Sequence, residues 1–168
     1  MGIWTGLKRA VNSTLGTANF QPLDEIIKSQ RTYGASDTPL AVLGADMGFQ
    51  LSTSTVQVPK IKFVPKITGS IRIKTTMKFA IQPGRRGIAY IYVYKNGNAF
   101  ATISYDVAGS SDGMVNITES RDSDIPIEKG SEYTFYVKNQ TTYATTTLQS
   151  IQLCAEVVDL SMLEYITY

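Results

Sequence analysis

The chain has 168 residues, enough for one domain with an appendage and too few for two domains with separate cores. Hydrophobic residues make up 43% and charged residues 18%, a globular composition that excludes wholesale disorder. The 16 basic and 14 acidic residues leave a net charge of +2, too balanced a field to draw the chain to nucleic acid or anionic lipid, so neither nucleic acid nor membrane is an expected partner. Ten tyrosines, with abundant Thr, Val and Ile, are residues that suit a pleated, half-buried surface, and point to an all-β fold.

The single cysteine, Cys154, has no intrachain partner and is expected as a small buried apolar side chain. The first residues lack the charged start and long apolar core of a secretory leader, no stretch reaches membrane-spanning length, and Gly6 stands where a myristoylation signal wants Ser or Thr.

In chain order, Ile3, Leu7, Val11 and Leu15 recur every four positions, with Trp4 beside them and Lys8, Arg9 and Asn12 opposite, which predicts a short amphipathic helix stopped at Gly16. A second short helix follows, with Pro22 in its first turn, Asp24 and Glu25 at its positive end, Lys28 and Arg31 at its negative end, and Gly34 as its stop. Helices this short are not stable alone in water. The stripe of Ile3, Trp4, Leu7, Val11 and Leu15 and that of Leu23, Ile26 and Ile27 therefore form an expected assembly interface, docking on the chain's own β-domain or on another subunit. Residues 35–54, small and polar around Pro39, Gly44 and Gly48, are expected to be a linker between the helical arm (1–34) and a β-sandwich (55–168).

Short β runs are expected at Thr55 to Val58 and Ile61 to Val64, broken by Pro59 and Pro65. Ile71, Ile73, Met77, Phe79 and Ile81, with Thr75 among them, alternate against Arg72, Lys74, Thr76 and Lys78, the pattern of a strand with one wet face. After Pro83-Gly84, the run Ile88 to Tyr94 sets Tyr90, Tyr92 and Tyr94 against Ala89, Ile91 and Val93, bulky on both faces and so expected to be central. Asn96-Gly97 then predicts a type I′ hairpin into Ala99 to Tyr105, because both turn residues need positive φ. Strands are further expected at Met114 to Ser120, at Ile125 to Ile127, at Tyr133 to Lys138 with Tyr133, Phe135 and Val137 on one side, and at Ala144 to Leu160. The total of about seven or eight antiparallel strands is that of a β-sandwich, jelly-roll-like. The apolar ending Met162 to Tyr168 is expected to pack on the domain or a neighbour.

The absence of histidine removes the usual general base and the commonest transition-metal ligand, so no enzyme, metal or cofactor is expected. Asp122 and Asp124, with Glu119, form the densest acidic cluster; a carboxylate pair for glycoside hydrolysis or a calcium site is weighed against a solvated loop, and the loop is preferred. Gly84-Arg85-Arg86-Gly87 offers a basic turn for a phosphate or carboxylate, with a plain hairpin connection preferred. Tyr90, Tyr92 and Tyr94 offer aromatic faces for glycan or partner contact, although alternation explains them equally well as core or interface packing, the favoured reading. The Asn-x-Ser/Thr sites at Asn12, Asn116 and Asn139 mean little without a secretion signal.

The run Ala89-Tyr90-Ile91-Tyr92-Val93-Tyr94-Lys95-Asn96-Gly97-Asn98-Ala99 resembles the hairpin of β-sandwich domains in bacteriophage tail, fibre and other virion proteins. The strand Gly69 to Lys74 before it and the strand start Ile127 to Tyr133 after it follow the same order. The stretch Leu7 to Thr17 with Phe20 to Asp24 looks like the start of small proteins from phages and prophages of Gram-positive bacteria. This resemblance implies a non-enzymatic, homo-oligomeric virion subunit, made in the host cytoplasm, whose arm docks on other virion proteins and whose sandwich forms a tail, baseplate or fibre projection. A capsid decoration or head-fibre protein, and a carbohydrate-binding module for the host-surface glycan, are the alternatives.

Overall fold

The computed structural model describes residues 34–156 and 163–168. The expected helical arm, with Ile3, Trp4, Leu7, Val11, Leu15, Leu23, Ile26 and Ile27, lies outside the described residues. Those described form ten strands: β1 (Pro39–Gly44), β2 (Phe49–Gln50), β3 (Val56–Pro65), β4 (Gly69–Ile81), β5 (Arg86–Lys95), β6 (Asn98–Ala108), β7 (Val115–Ile127), β8 (Tyr133–Asn139), β9 (Ala144–Cys154) and β10 (Leu163–Ile166). No helix among the described residues is long and apolar enough to cross a membrane.

The strands form two antiparallel sheets. The first has the order β1-β9-β4-β7, with β2 also on β9; the second has the order β10-β3-β8-β5-β6. Without the short β2 and β10, the remaining eight strands alternate between the sheets, save for the β5–β6 hairpin within the second, in jelly-roll order. The expected all-β antiparallel sandwich is therefore present. A jelly roll hosts viral capsid domains and lectins alike, so the fold does not separate a virion reading from a glycan-binding one.

Period-two alternation builds the core. On β4, Ile71, Ile73, Met77, Phe79 and Ile81 are fully buried while Arg72, Lys74 and Lys78 face solvent. The second sheet answers with Phe63, Ala89, Ile91, Val93, Tyr133, Phe135 and Val137, all at 0% exposure. Phe63 stacks on Tyr133 at 4.8 Å between ring centroids, 9° from parallel. On β9 the inward phase switches from Ala144, Thr146 and Leu148 to Ile151 and Leu153, because a bulge between Leu148 and Ser150 adds one residue opposite Thr76 and Met77.

Four expectations are corrected. The linker 35–54 contains β1 and β2: Leu40, Ala41, Leu43, Met47 and Leu51 are buried, and Pro39 and Gly44 had masked a run of only four apolar residues. The presumed loop between Ser120 and Ile125 is strand throughout; β7 pairs with β4 without interruption from Val115↔Ile81 to Ile127↔Gly69. This edge strand faces water along most of its length and so lacks an apolar rhythm. The turn at Gly84 (φ 64°) is no hairpin connection, since it carries the chain from β4 in the first sheet to β5 in the second. Finally, β9 ends at Cys154, whose side chain is buried.

The Asn96-Gly97 turn has φ of 49° and 80°, as a type I′ hairpin requires, and joins β5 to β6 in register from Lys95↔Asn98. At the C-terminus, β10 pairs with the end of β3, and the Tyr168 amide donates to the Leu43 carbonyl at 2.8 Å while its ring meets Phe49 edge-on. These last residues bridge β1 and β2 of one sheet to β3 of the other.

Candidate functional site

Inward placement of Ala89, Ile91 and Val93 forces Tyr90, Tyr92 and Tyr94 onto the outer face of the second sheet. Of the favoured reading, core or interface packing, the core half is thereby corrected: the smaller side chains fill the core, and the rings lie half-buried outside it. On β8 the inward set Tyr133, Phe135 and Val137 likewise turns Tyr136 outward, directly opposite Tyr92. Tyr94 and Tyr136 approach across the strand pair to 4.2 Å between centroids, tilted by 35°, and Tyr90 and Tyr92 are 5.9 Å apart. Diagonal neighbours in a sheet stand within reach of aromatic side chains, which explains how Tyr94 and Tyr136, on two strands, form the second of two ring pairs that make up the file.

Polar groups rim the file. Thr102 and Ser104 of β6 stand opposite Tyr92 and Tyr90; Lys138 of β8 stands opposite Tyr90 on the other side, and Thr134 opposite Tyr94. The Tyr136 hydroxyl and the Gln57 amide oxygen of β3 lie 3.4 Å apart, with the hydroxyl as donor. Beyond Thr134 a groove of about 330 Å³ is lined by Gln57, Lys60, Ile61, Lys62, Glu132, Thr134 and Ile166. The face thus combines flat apolar rings with hydroxyl, amide and ammonium groups able to hydrogen-bond a polyol.

The first sheet's outer face is organised differently. The Arg72 guanidinium donates from Nε and Nη2 to the two oxygens of Asp124 at 2.7 and 2.9 Å, and from Nη1 to Asp37 at 2.9 Å, with Asp122 at 3.7 Å. Lys74 also meets Asp37 at 2.8 Å. The guanidinium beside Asp124 holds that carboxyl below its usual range, and Lys74, then Arg72, do the same for Asp37. Asp122 and Asp124 thus flank a resident cation. A general acid for glycoside hydrolysis needs its pKa raised, and Asp124 is shifted the other way. Among the described residues no three His, Cys, Asp or Glu side chains group closely enough to hold a metal ion. In the basic turn, Arg86 pairs with Asp106 at 2.7 Å, and Arg85 lies 4.4 Å over the Tyr143 ring.

Two of the three glycosylation-type asparagines fall in the described residues. Asn116 is exposed on β7, but Asn139 is buried, its amide donating to the Ala144 carbonyl at 2.7 Å. Sequence reasoning found Tyr90, Tyr92 and Tyr94 and missed Tyr136, Gln57 and Lys138. The alternation of Tyr133, Phe135 and Val137 already placed Tyr136 and Lys138 on the opposite face; the pairing of β8 with β5, some forty residues away, is what brings them to the tyrosines.

No protein-family model matches the chain, and no curated protein does. Among solved structures it is similar to a family 35 carbohydrate binding module from an environmental isolate, with 11% identity, a TM-score of 0.42, and coverage of 83% of this chain and 96% of that one. CBM35 from Cellvibrio japonicus Abf62 gives 10% identity, a TM-score of 0.42, and coverage of 84% and 94%. The CBM22-1 xylan-binding domain from Paenibacillus barcinonensis Xyn10C gives 9%, 0.38, and 71% and 97%. Likeness at this level says nothing about ligand or activity.

Proposed function

We propose that the sandwich is a non-catalytic glycan-binding module whose site is the outer face of the second sheet. The observation that carries this reading is the file of Tyr90, Tyr92, Tyr94 and Tyr136, half-buried outside the core and rimmed by Gln57, Thr102, Ser104, Thr134 and Lys138. Aromatic rings gathered on the outer face of a sheet suit an interaction surface, since their apolar faces gain little from water. Stacked rings suit the apolar face of a sugar, and the rim supplies partners for its hydroxyls. The absence of histidine and the engagement of Asp122 and Asp124 by Arg72 support a site without covalent chemistry. The virion membership implied by the hairpin resemblance supplies a setting for such a module: a particle projection that touches the host-surface glycan.

The test is retention of the full chain on a panel of neutral and acidic polysaccharides by affinity electrophoresis. Retention is expected for at least one polymer, with a loss of tenfold or more in affinity in a Tyr92→Ala, Tyr136→Ala variant, because both rings that would stack on the sugar are removed. Unchanged retention in that variant, or no retention on any polymer, contradicts the proposal.

A further inference from the structure

We infer that the ligand of this face is an acidic glycan, its anionic groups met by Lys138 beside Tyr90 and by Lys60 on the β3 side of Tyr136 and Thr134; the inference rests on the glycan reading above. Lys60 owes its position to an unusual bulge. Between Gln57, opposite Tyr136, and Lys62, opposite Thr134, β3 advances five residues while β8 advances two. Val58 and Ile61 both remain in the core, so Pro59 and Lys60 are looped out beside the groove.

Lys60 sits there at a φ of 65°, a left-handed conformation that costs a side-chain-bearing residue energy and that glycine or asparagine would adopt more easily. Strain of this kind at an exposed lysine points to use of the position. Lys138, half-buried, stands opposite Tyr90 and two residues along β8 from Tyr136. In register, the Lys60 bulge falls between the β8 positions Thr134 and Tyr136, and Lys138 lies two residues beyond Tyr136.

The surrounding charges leave both lysines available. Glu132 is taken by Lys62 at 2.7 Å, Asp106 by Arg86 at 2.7 Å, Glu128 by Lys95 at 2.6 Å and Glu164 by Lys66 at 3.3 Å. Among the described residues neither Lys60 nor Lys138 has an ion-pair partner, so the face carries a net positive pattern bracketing its aromatic file. On the first sheet, Arg72 and Lys74 of β4 are matched by carboxylates, and Lys78 of the same strand has no ion-pair partner among the described residues. An ammonium group is a point charge without the planar fork of a guanidinium, so it reads the presence of an anion rather than its geometry; carboxylate and sulfate are the same chemistry to this site.

The experiment measures affinity of the full chain for polygalacturonate, for the same polymer with its carboxyls reduced to alcohols, and for a sulfated polysaccharide. The expected result is binding to the acidic polymers about tenfold tighter than to the reduced one at low salt, a difference that closes at about 1 M salt, where screening acts within about 3 Å. A Lys60→Gln, Lys138→Gln variant is expected to lose that advantage and to keep the affinity for the reduced polymer. Comparable binding of the carboxylated and sulfated polymers supports recognition of charge by the two lysines, and binding of the carboxylated one only overturns recognition by charge alone. Equal affinity for the acidic and reduced polymers overturns the inference and leaves the glycan reading standing, whereas failure to bind any polymer removes that reading itself. Acidic-polymer binding that survives Tyr92→Ala, Tyr136→Ala also overturns the inference, because the charge would then act apart from the file.

Discussion

The hydroxyl of Tyr105, on β6, lies 2.6 Å from Thr75 Oγ1 and donates to the Thr75 carbonyl at 2.9 Å, joining the two sheets through the centre of the core. Thr75 Oγ1 also reaches the Arg121 carbonyl at 3.3 Å, and among the described residues no buried side-chain oxygen or nitrogen is left without a partner. A threonine within the apolar face of β4 breaks the alternation for this reason. Tyr105→Phe is expected to cost about 1–2 kcal/mol and Thr75→Val a similar amount, with the double variant losing less than the sum because both remove one interaction. Chemical denaturation of the four proteins checks this, and additive losses would show that the two residues act separately.

Stability should also be bounded at both ends of the pH scale. Burial pushes the Tyr105 hydroxyl up to about 12, so its contribution is complete below the ordinary tyrosine value near 10 and is lost as pH rises from there through 12. Asp37, Asp106 and Asp124 are held low by Lys74 and Arg72, by Arg86, and by Arg72 respectively. Their contribution is present above the ordinary carboxylate value near 4 and is lost as pH falls through their folded values. With no histidine in the chain, thermal midpoints are expected to vary little between about pH 5 and 9. Tyr105→Phe makes the alkaline fall shallower, with Lys74 and Cys154, also raised, leaving part of it, and Asp124→Asn makes the acid fall shallower.

At the hairpin, Gly97 holds a φ of 80° with open space where a Cβ would stand. Gly97→Ala is therefore expected to destabilise through backbone conformation alone, by about 1 kcal/mol or more, without changing the denaturant slope. Equilibrium unfolding measures it, and a neutral outcome would contradict the turn geometry.

Asn139 ties the crossover from β8 to β9 by donating to the Ala144 carbonyl and accepting from Thr146 at 3.4 Å. Asn139→Ala should cost about 1–3 kcal/mol by leaving these buried groups unpaired. Secretion of the chain through a glycosylating pathway should modify Asn116 and leave Asn139 bare, as mass spectrometry of the glycopeptides would show.

The sequence made the central strands legible wherever one face was wet. Ile71 to Ile81 and the Asn96-Gly97 turn stood out because alternation and positive φ leave local marks. On β5 alternation separated Tyr90, Tyr92 and Tyr94 from Ala89, Ile91 and Val93 but did not say which set faced water, since both carry bulk; only the opposite sheet, with its large Phe79 and Met77, decides that the small set goes inside. The polar run Arg121 to Asp124 read as a loop because nothing in it is apolar; its strand character comes from pairing with β4. Tyr136 joined the site through the same kind of long-range pairing, which no local pattern records.

Titration of the isotope-labelled full chain with short galacturonic acid and galactose oligosaccharides, followed by amide NMR shifts, tests the assignment of the binding face most directly. The account predicts that the largest shifts fall on Tyr90 to Tyr94, Thr102 to Ser104 and Thr134 to Lys138. Shifts centred on Arg72, Asp122 and Asp124 of the other sheet, or none with either sugar, would contradict it.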